Sequence, residues 1–527
     1  MVGFVKMKHR IKKYWESKQI NITPNQFLWG FFALVLLSIV SRNLLKYGVG
    51  HSKIRDVCLM LVLLITLSSS RKVLKFVVTP FVILMSLYIP IGYSFGAISE
   101  NYLMALYATD TSELFGMLTV FSKTALGLAV VNIGLYLVYV RICLKKNINL
   151  YRNKMLIVLV ALIGLSNQLP FAFFTNAYHS AGLVQVEIEK MEKFSQQSNQ
   201  DTWGMVTQHQ EQSQYDDYVV VIGESVRKDY LHLYGYPVAN TPFLSHVNGT
   251  FIDGLKSADR YTIPSLTRML TKTDPKNQTA QYDKNIVSLA NKAGFETHWL
   301  SNQGSFGKDD TPIAAIARQA HERTFLKHGS YDIALISDME LLGFLKQKLQ
   351  IPSVKKRLFF IHTVGSHPDA CQQIQDFTSG IAVKNASYKG VECYVNSIHK
   401  TDVFLQKIYT ELRSNEQKSR RSFSMLYFAD HGLVAVEEEG KFKLVHGESL
   451  QSSDVPLVKI SSDDQERKRI TSAKSGYYFA DGLARWLGIS GAELTQYDLF
   501  SDEETEQVVF PVFQKSFDNP AIDITDK

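Results

Sequence analysis

The chain has 527 residues, 46% of them hydrophobic, and a net charge of +7 at neutral pH. One hydrophobic core rarely serves more than about 250–300 residues, so at least two domains are expected. The positive charge does not point to nucleic acid, because the basic residues cluster beside apolar runs instead of forming one stripe.

Long apolar runs fill roughly the first third, and everything after Ala177 has the mixed charge of a soluble domain. Five stretches, residues 26–40, 57–69, 73–95, 118–144 and 155–174, are apolar enough to be expected as membrane helices. The second is the shortest and ends in three serines. The first is not expected to be a cleaved signal peptide, since no small-residue cleavage site follows Val40 and further spans come after it.

Lys and Arg mark the cytoplasmic side of short loops. Lys6 to Lys18 precede the first span, Arg71, Lys72 and Lys75 follow the second, and Arg141 to Lys154 lie around the end of the fourth. With five spans these three segments share one side, so the N-terminus is expected in the cytoplasm. The loop between spans three and four holds Glu100, Asp110 and Glu113 and no basic residue, and it is expected outside together with the C-terminal half. Arg42, Lys46, Lys53 and Arg55 in the first outer loop run against this pattern. Cys58 and Cys143 read as small buried hydrophobes in or beside spans. Cys371 and Cys393 fall in the outward half, where an oxidising compartment permits a disulfide, and the sequence leaves their pairing open.

A polar stretch from His179 to Gln214 reads as a linker or surface helix, giving expected boundaries at 1–175, 176–216 and 217–527. The pattern then changes. Residues 218–222 form a continuous β-branched run of the kind buried in a parallel sheet, and residues 297–301, 357–364 and 424–428 repeat it. Helical patterns at 284–293 and 396–412 separate them, so a mostly parallel α/β domain is expected. In such folds chemistry gathers at the carboxyl ends of the strands. The polar residues found there are Glu224, His367, Asp430 and His431. The oxygen and nitrogen donors of Glu224, Asp430 and His431 suit a zinc-like ion and leave room for a nucleophile. Singly each has an ordinary explanation, such as a helix cap; together they point to a metal centre.

These residues carry a resemblance. The stretch from Val219 to Pro237, followed by Asn240-Thr-Pro-Phe-Leu244, resembles the first metal-ligand strand of the phosphoethanolamine transferases, a branch of the alkaline-phosphatase and sulfatase superfamily. Residues 359–367 resemble the family's Gly-Ser/Asn-His motif, residues 428–432 its Asp-His-Gly, and His446-Gly447 its downstream substrate histidine. Thr262, Pro264, Ser265, Leu270 and Thr271 match the register of the sulfatase nucleophile segment, with Thr262 in the nucleophile slot and Leu266 where sulfatases carry Arg. A threonine cannot yield formylglycine, so transfer through a phosphothreonine-type ester fits better than sulfate hydrolysis.

The resemblance implies an inner-membrane enzyme with five transmembrane helices and a periplasmic sulfatase-like domain. It implies a phosphatidylethanolamine donor in the bilayer and a glycolipid or glycan acceptor such as lipid A, core oligosaccharide or periplasmic glucan, with no nucleic acid. Metal ligands are expected at Glu224, Thr262, Asp430 and His431, forming one tight zinc site with a second, weaker one as an option. His367 and His446 are expected to bind phosphate oxygens or carry the proton. Glu113 is expected near the ethanolamine ammonium and Lys308 near the substrate. The alternatives are a phosphodiesterase or a glycerol-phosphate transferase like lipoteichoic-acid synthase, and, outside enzymes, a membrane sensor with a relict domain.

Overall fold

The computed structural model describes residues 24–50, 52–68, 70–95, 123–145, 172–197, 202–304, 312–327, 336–438, 440–503 and 516–527. It divides into two compact units at about residue 182.

The first unit is helical. Among the described residues, Pro24–Gly48 and Lys123–Lys145 are each long and apolar enough to cross a membrane. Ile54–Leu67 and the helical run Arg71–Leu87 form a bent pair that makes a third span if taken together. Sequence expectation treats these as separate second and third spans. The expected fifth span falls almost wholly on residues outside the described set. Leu37, Leu44, Met60, Val82 and Tyr136 pack the centre of the unit. The Asn43 amide donates to Asn132 Oδ1 at 3.1 Å, and Asn132 in turn donates to Ser86 Oγ at 3.0 Å. This polar chain links three helices, the kind of bond that joins apolar helices when no hydrophobic difference drives them together.

The second unit is built on an eight-stranded sheet. Its strands are β1 (Asp217–Gly223), β2 (Gly249–Ile252), β3 (Glu296–Ser301), β4 (Glu322–Phe325), β5 (Arg357–His362), β6 (Phe423–Ala429), β7 (Leu457–Ser461) and β8 (Arg467–Ile470), in spatial order β8-β2-β7-β6-β1-β5-β3-β4. Only β7 runs against its neighbours. The central strands are buried throughout because both faces are covered. Val219, Val221, Phe359, Ile361 and Met425 enter one core, while Val220, Ile222, Leu358, Phe360, Leu426 and Phe428 enter the other. A 31-residue helix, Lys389–Ser419, contributes to both. Cys371 and Cys393 are joined in a disulfide with Cα atoms 4.8 Å apart, which settles the pairing the sequence left open.

The two ends of the sheet differ in chemistry. At the amino ends of β1 and β5, the buried Asp217 carboxylate accepts two bonds of 2.7 Å from Arg357, and Arg421 adds two more at 3.0 and 2.8 Å. Loss of one member leaves an uncompensated buried charge. Asp217→Ala is expected to destabilise this unit by about 3–5 kcal/mol, seen as a lower denaturant midpoint for the purified protein.

Candidate active site

At the carboxyl ends of β1 and β6 the parallel register places Ala429 opposite Gly223, so Asp430 and Glu224 follow side by side. Both are buried, as is His431. The turn after Glu224 puts Ser225 at a φ of 61°, uncommon for a side-chain-bearing residue, and its N–H donates to Asp430 Oδ1 at 2.9 Å. His431 N–H donates to the same oxygen at 2.7 Å. Asp430 Oδ2 has no hydrogen-bond partner. Nδ1 of His431 lies 2.9 Å from the Gly432 carbonyl, an acceptor that fixes the proton there and leaves Nε2 as a lone-pair donor.

Thr262 opens an eight-residue helix, Thr262–Met269, whose apolar face, Leu266 and Met269, sinks into the core. Ser265 Oγ donates to the Asp430 carbonyl at 2.6 Å and ties the helix to the end of β6. Thr262 Oγ1 thereby stands 3.2 and 3.1 Å from the Glu224 carboxylate oxygens and 3.1 Å from His431 Nε2. The structure brings these four expected residues together.

Charge explains what the cluster lacks. Burial raises the Asp430 carboxyl, and adjacent Glu224 raises it further, to about 8. Burial works against charge on His431, yet the two carboxylates outweigh it and lift the imidazole to about 9. Burial also opposes the Glu224 charge, but His431 holds that carboxyl well below its ordinary range. Without a cation, protons must neutralise the cluster. Ligand atoms of Glu224, Asp430 and His431 all lie within 4.8 Å of one another, the one such group among the described residues. The orphaned Asp430 oxygen and the mixed oxygen and nitrogen donors fit a zinc-like ion.

Two further histidines lie close to this cluster. His446 follows His431 by fifteen positions, and a hairpin of Val434–Glu438 with Lys441–Val445 closes that distance, leaving the two rings 5.4 Å apart. The His446 ring also lies 6.0 Å from Tyr261, nearly parallel, and 5.7 Å from His367. Burial, with His431 and His367 adding to it, pushes His446 down to about 3. Its Nδ1 has no partner. The loop carrying His367 is held by Asp338, which accepts from the N–H groups of Val364 and Gly365 at 2.9 Å each. Glu113 and Lys308 lie outside the described residues.

Sequence reasoning did not single out His362, which lies within the run at 357–364. Alternation along β5 puts it on the face of Leu358 and Phe360, with its Nε2 buried and unpartnered. Burial draws it down to about 4. Period-two alternation alone could have marked a histidine at that position.

Buried acidic and histidine side chains at the carboxyl ends of a mostly parallel sheet form a group that could hold a metal ion, facing a hydroxyl at a helix start. The Sulfatase family model matches residues 216–489. A Haemophilus influenzae protein assigned to phosphoethanolamine transfer is 39% identical over 434 residues, spanning 80% of this chain and 88% of its own. The Escherichia coli phosphoethanolamine transferase OpgE is 32% identical, over 89% of this chain and 91% of its own. The integral membrane lipooligosaccharide phosphoethanolamine transferase A of Neisseria meningitidis shares the fold at a TM-score of 0.56 and 16% identity, over 89% of this chain and 96% of that one. The chain belongs to the sulfatase family and, within it, to the phosphoethanolamine transferases.

Gly365 has a φ of 50°, and a Cβ there would meet the Glu224 backbone nitrogen at 3.0 Å. Gly365→Ala is expected to cost about 1–2 kcal/mol of stability while cutting transfer rate disproportionately, because the strain falls on Glu224. Parallel thermal melts and transfer assays would check this.

Proposed function

We propose that the chain moves phosphoethanolamine from phosphatidylethanolamine to an extracytoplasmic envelope acceptor through an ester on Thr262. The carrying observation is Thr262 Oγ1 within hydrogen-bond reach of both Glu224 oxygens and His431 Nε2. Glu224, Asp430 and His431, with Thr262 itself, would hold one tight zinc ion. Bound there, the ion would stabilise the threonine alkoxide and polarise the phosphoryl oxygen.

The protein's own groups do the rest. The Thr262 oxygen attacks phosphorus, forming one P–O bond as the bond to the diacylglycerol oxygen breaks. His446 enters neutral, since burial holds it far below neutrality, and its unpartnered Nδ1 serves a phosphoryl oxygen or the travelling proton. His367 lies beside it to share that work. The second half repeats the first in reverse, with an acceptor hydroxyl or phosphate attacking the Thr262 ester. Glu113 and Lys308 are assigned to the ammonium and the substrate phosphate, an assignment that rests on family likeness.

Membrane placement follows the same reading. Five spans over 1–175, a bridging segment at 176–216 and a catalytic domain at 217–527 put the N-terminus in the cytoplasm and the sheet in the periplasm of an inner-membrane protein. The Cys371–Cys393 bond supports this, because structural disulfides persist in oxidising compartments. A C-terminal alkaline phosphatase fusion is expected to be active and a fluorescent protein that matures only in the cytoplasm dark; the opposite pair of results would reverse the topology.

Thr262→Ala is expected to abolish transfer while keeping the fold, because the half-buried hydroxyl it removes caps no helix N–H and its loss costs about 1–3 kcal/mol, and Glu224, Asp430 and His431 remain to hold the metal. Glu224→Ala and Asp430→Ala are expected to lose metal together with activity. Wild-type protein given phosphatidylethanolamine and no acceptor should carry phosphoethanolamine on the Thr262 peptide by mass spectrometry. Full activity in Thr262→Ala would move the nucleophile to Ser257 or Ser265, and release of the adduct to water as fast as to any acceptor would make the enzyme a hydrolase.

A further inference from the structure

Arg227, three residues after Glu224, is fully buried. A guanidinium carries five N–H donors and no acceptor, so burying one demands an acceptor for each. Here every donor has one. Nε and one Nη2 hydrogen go to the Asp229 carboxylate. Nη1 donates to the Leu433 carbonyl at 3.2 Å and to Asn519 Oδ1 at 2.8 Å, and Nη2 also donates to the Asn519 carbonyl. Two of the five acceptors therefore come from one residue, Asn519, eight positions before Lys527.

Asn519 does more than accept. Its Oδ1 also takes the Ala435 N–H at 2.8 Å, and its Nδ2 donates to the Ala435 carbonyl at 2.9 Å, so the amide grips both backbone groups of that residue. Its own N–H is held by Gln451 Oε1 at 2.9 Å. Between these anchors lies Gly432, packed on Arg227 so closely that a Cβ would come within 2.3 Å of Arg227 Cγ. Gly432 supplies the carbonyl that fixes His431 Nδ1 and aims Nε2 at Thr262 and Glu224. The contacts form an unbroken series from Asn519 through Arg227 and the 432–435 backbone to the ring of His431.

We propose that Asn519 is a positioning residue for the metal site, holding the Asp430–His431 corner in register through Arg227 and Ala435. Residues 516–527 are on this view part of the catalytic apparatus, although they lie outside the span matched by the family model. Removing the Asn519 side chain strips one acceptor from a buried cation and both grips from Ala435. The corner then relaxes and the His431 ring loses its fixed orientation. The inference rests on the metal-site reading given above.

The test uses purified full-length protein in detergent, with zinc affinity measured by chelator competition, the visible spectrum of the cobalt-substituted protein, and steady-state transfer. Asn519→Ala is expected to weaken zinc about 10-fold or more, shift the cobalt spectrum, and lower kcat with the KM for the donor lipid unchanged. Asn519→Asp keeps both acceptors for Arg227 but loses the Nδ2 donor to the Ala435 carbonyl, so its zinc affinity should fall between wild type and Asn519→Ala; this variant carries the test if Asn519→Ala does not fold, and wild-type zinc affinity and cobalt spectrum in it would then overturn the proposal. Asn519→Ala with lowered thermal stability but unchanged zinc affinity and cobalt spectrum would overturn the proposal, as would equal zinc loss in the Ala and Asp variants. Wild-type protein that binds no zinc tightly would instead remove the metal reading, and this inference would fall with it.

Discussion

Holding Glu224 and Asp430 together inside the protein costs energy that something else must offset, because two ionised carboxylates taken out of water repel each other and lose their hydration. The fold accepts that cost by fixing both at adjacent ends of one parallel pair, β1 and β6, where backbone register leaves them no alternative position. Ser225 and His431 N–H groups occupy one oxygen of Asp430 and leave the other empty. A buried orphan oxygen beside a second carboxylate and an imidazole lone pair is a demand for positive charge.

The opposite end of β1 answers the same electrostatic problem differently. Asp217 is as buried as Glu224, yet it has two arginines of its own, and its charge is balanced within the chain. Between the two ends run only apolar residues. The sheet thus carries one closed ionic network and one cluster whose charge is left open, about a strand's length apart. A functional site differs from a structural ion pair here by what it leaves unsatisfied.

Legibility in the sequence followed burial. The strands at 218–222, 297–301, 357–364 and 424–428 were readable because each is covered on both faces and so is rich in large apolar residues; they match β1, β3, β5 and β6. The edge strands were not. Glu322–Phe325 and Arg467–Ile470 are half exposed and rich in charge, and Gly249–Ile252 has only four residues. The reversed β7 could not be told from a parallel strand, since direction leaves no mark on composition. Glu224, Asp430 and His431 were readable as polar residues ending buried runs, and the hairpin that returns His446 explains why a spacing of fifteen is no obstacle. Arg227 and Asn519 were illegible for a different reason. Their partnership spans nearly three hundred positions and exists only as a packing fact.

The role proposed for Thr262 requires a hydroxyl that hardly ionises near neutrality to act as a nucleophile. It stands at the first residue of its helix, where no side chain caps the end and Pro264 contributes no N–H. The positive end of the helix lies where Thr262 meets Glu224 and His431, and it would be worth at most about 2 kcal/mol to a negative charge placed there. Each factor of ten in rate requires about 1.4 kcal/mol, so the helix end supplies little more than one such factor. Enzymes of this type must supply many more. The helix orients Thr262 and the remaining stabilisation has to come from the charge that Glu224, Asp430 and His431 are arranged to hold. For that reason the contacts of Thr262 Oγ1 with Glu224 and His431, rather than the helix, carry the functional reading.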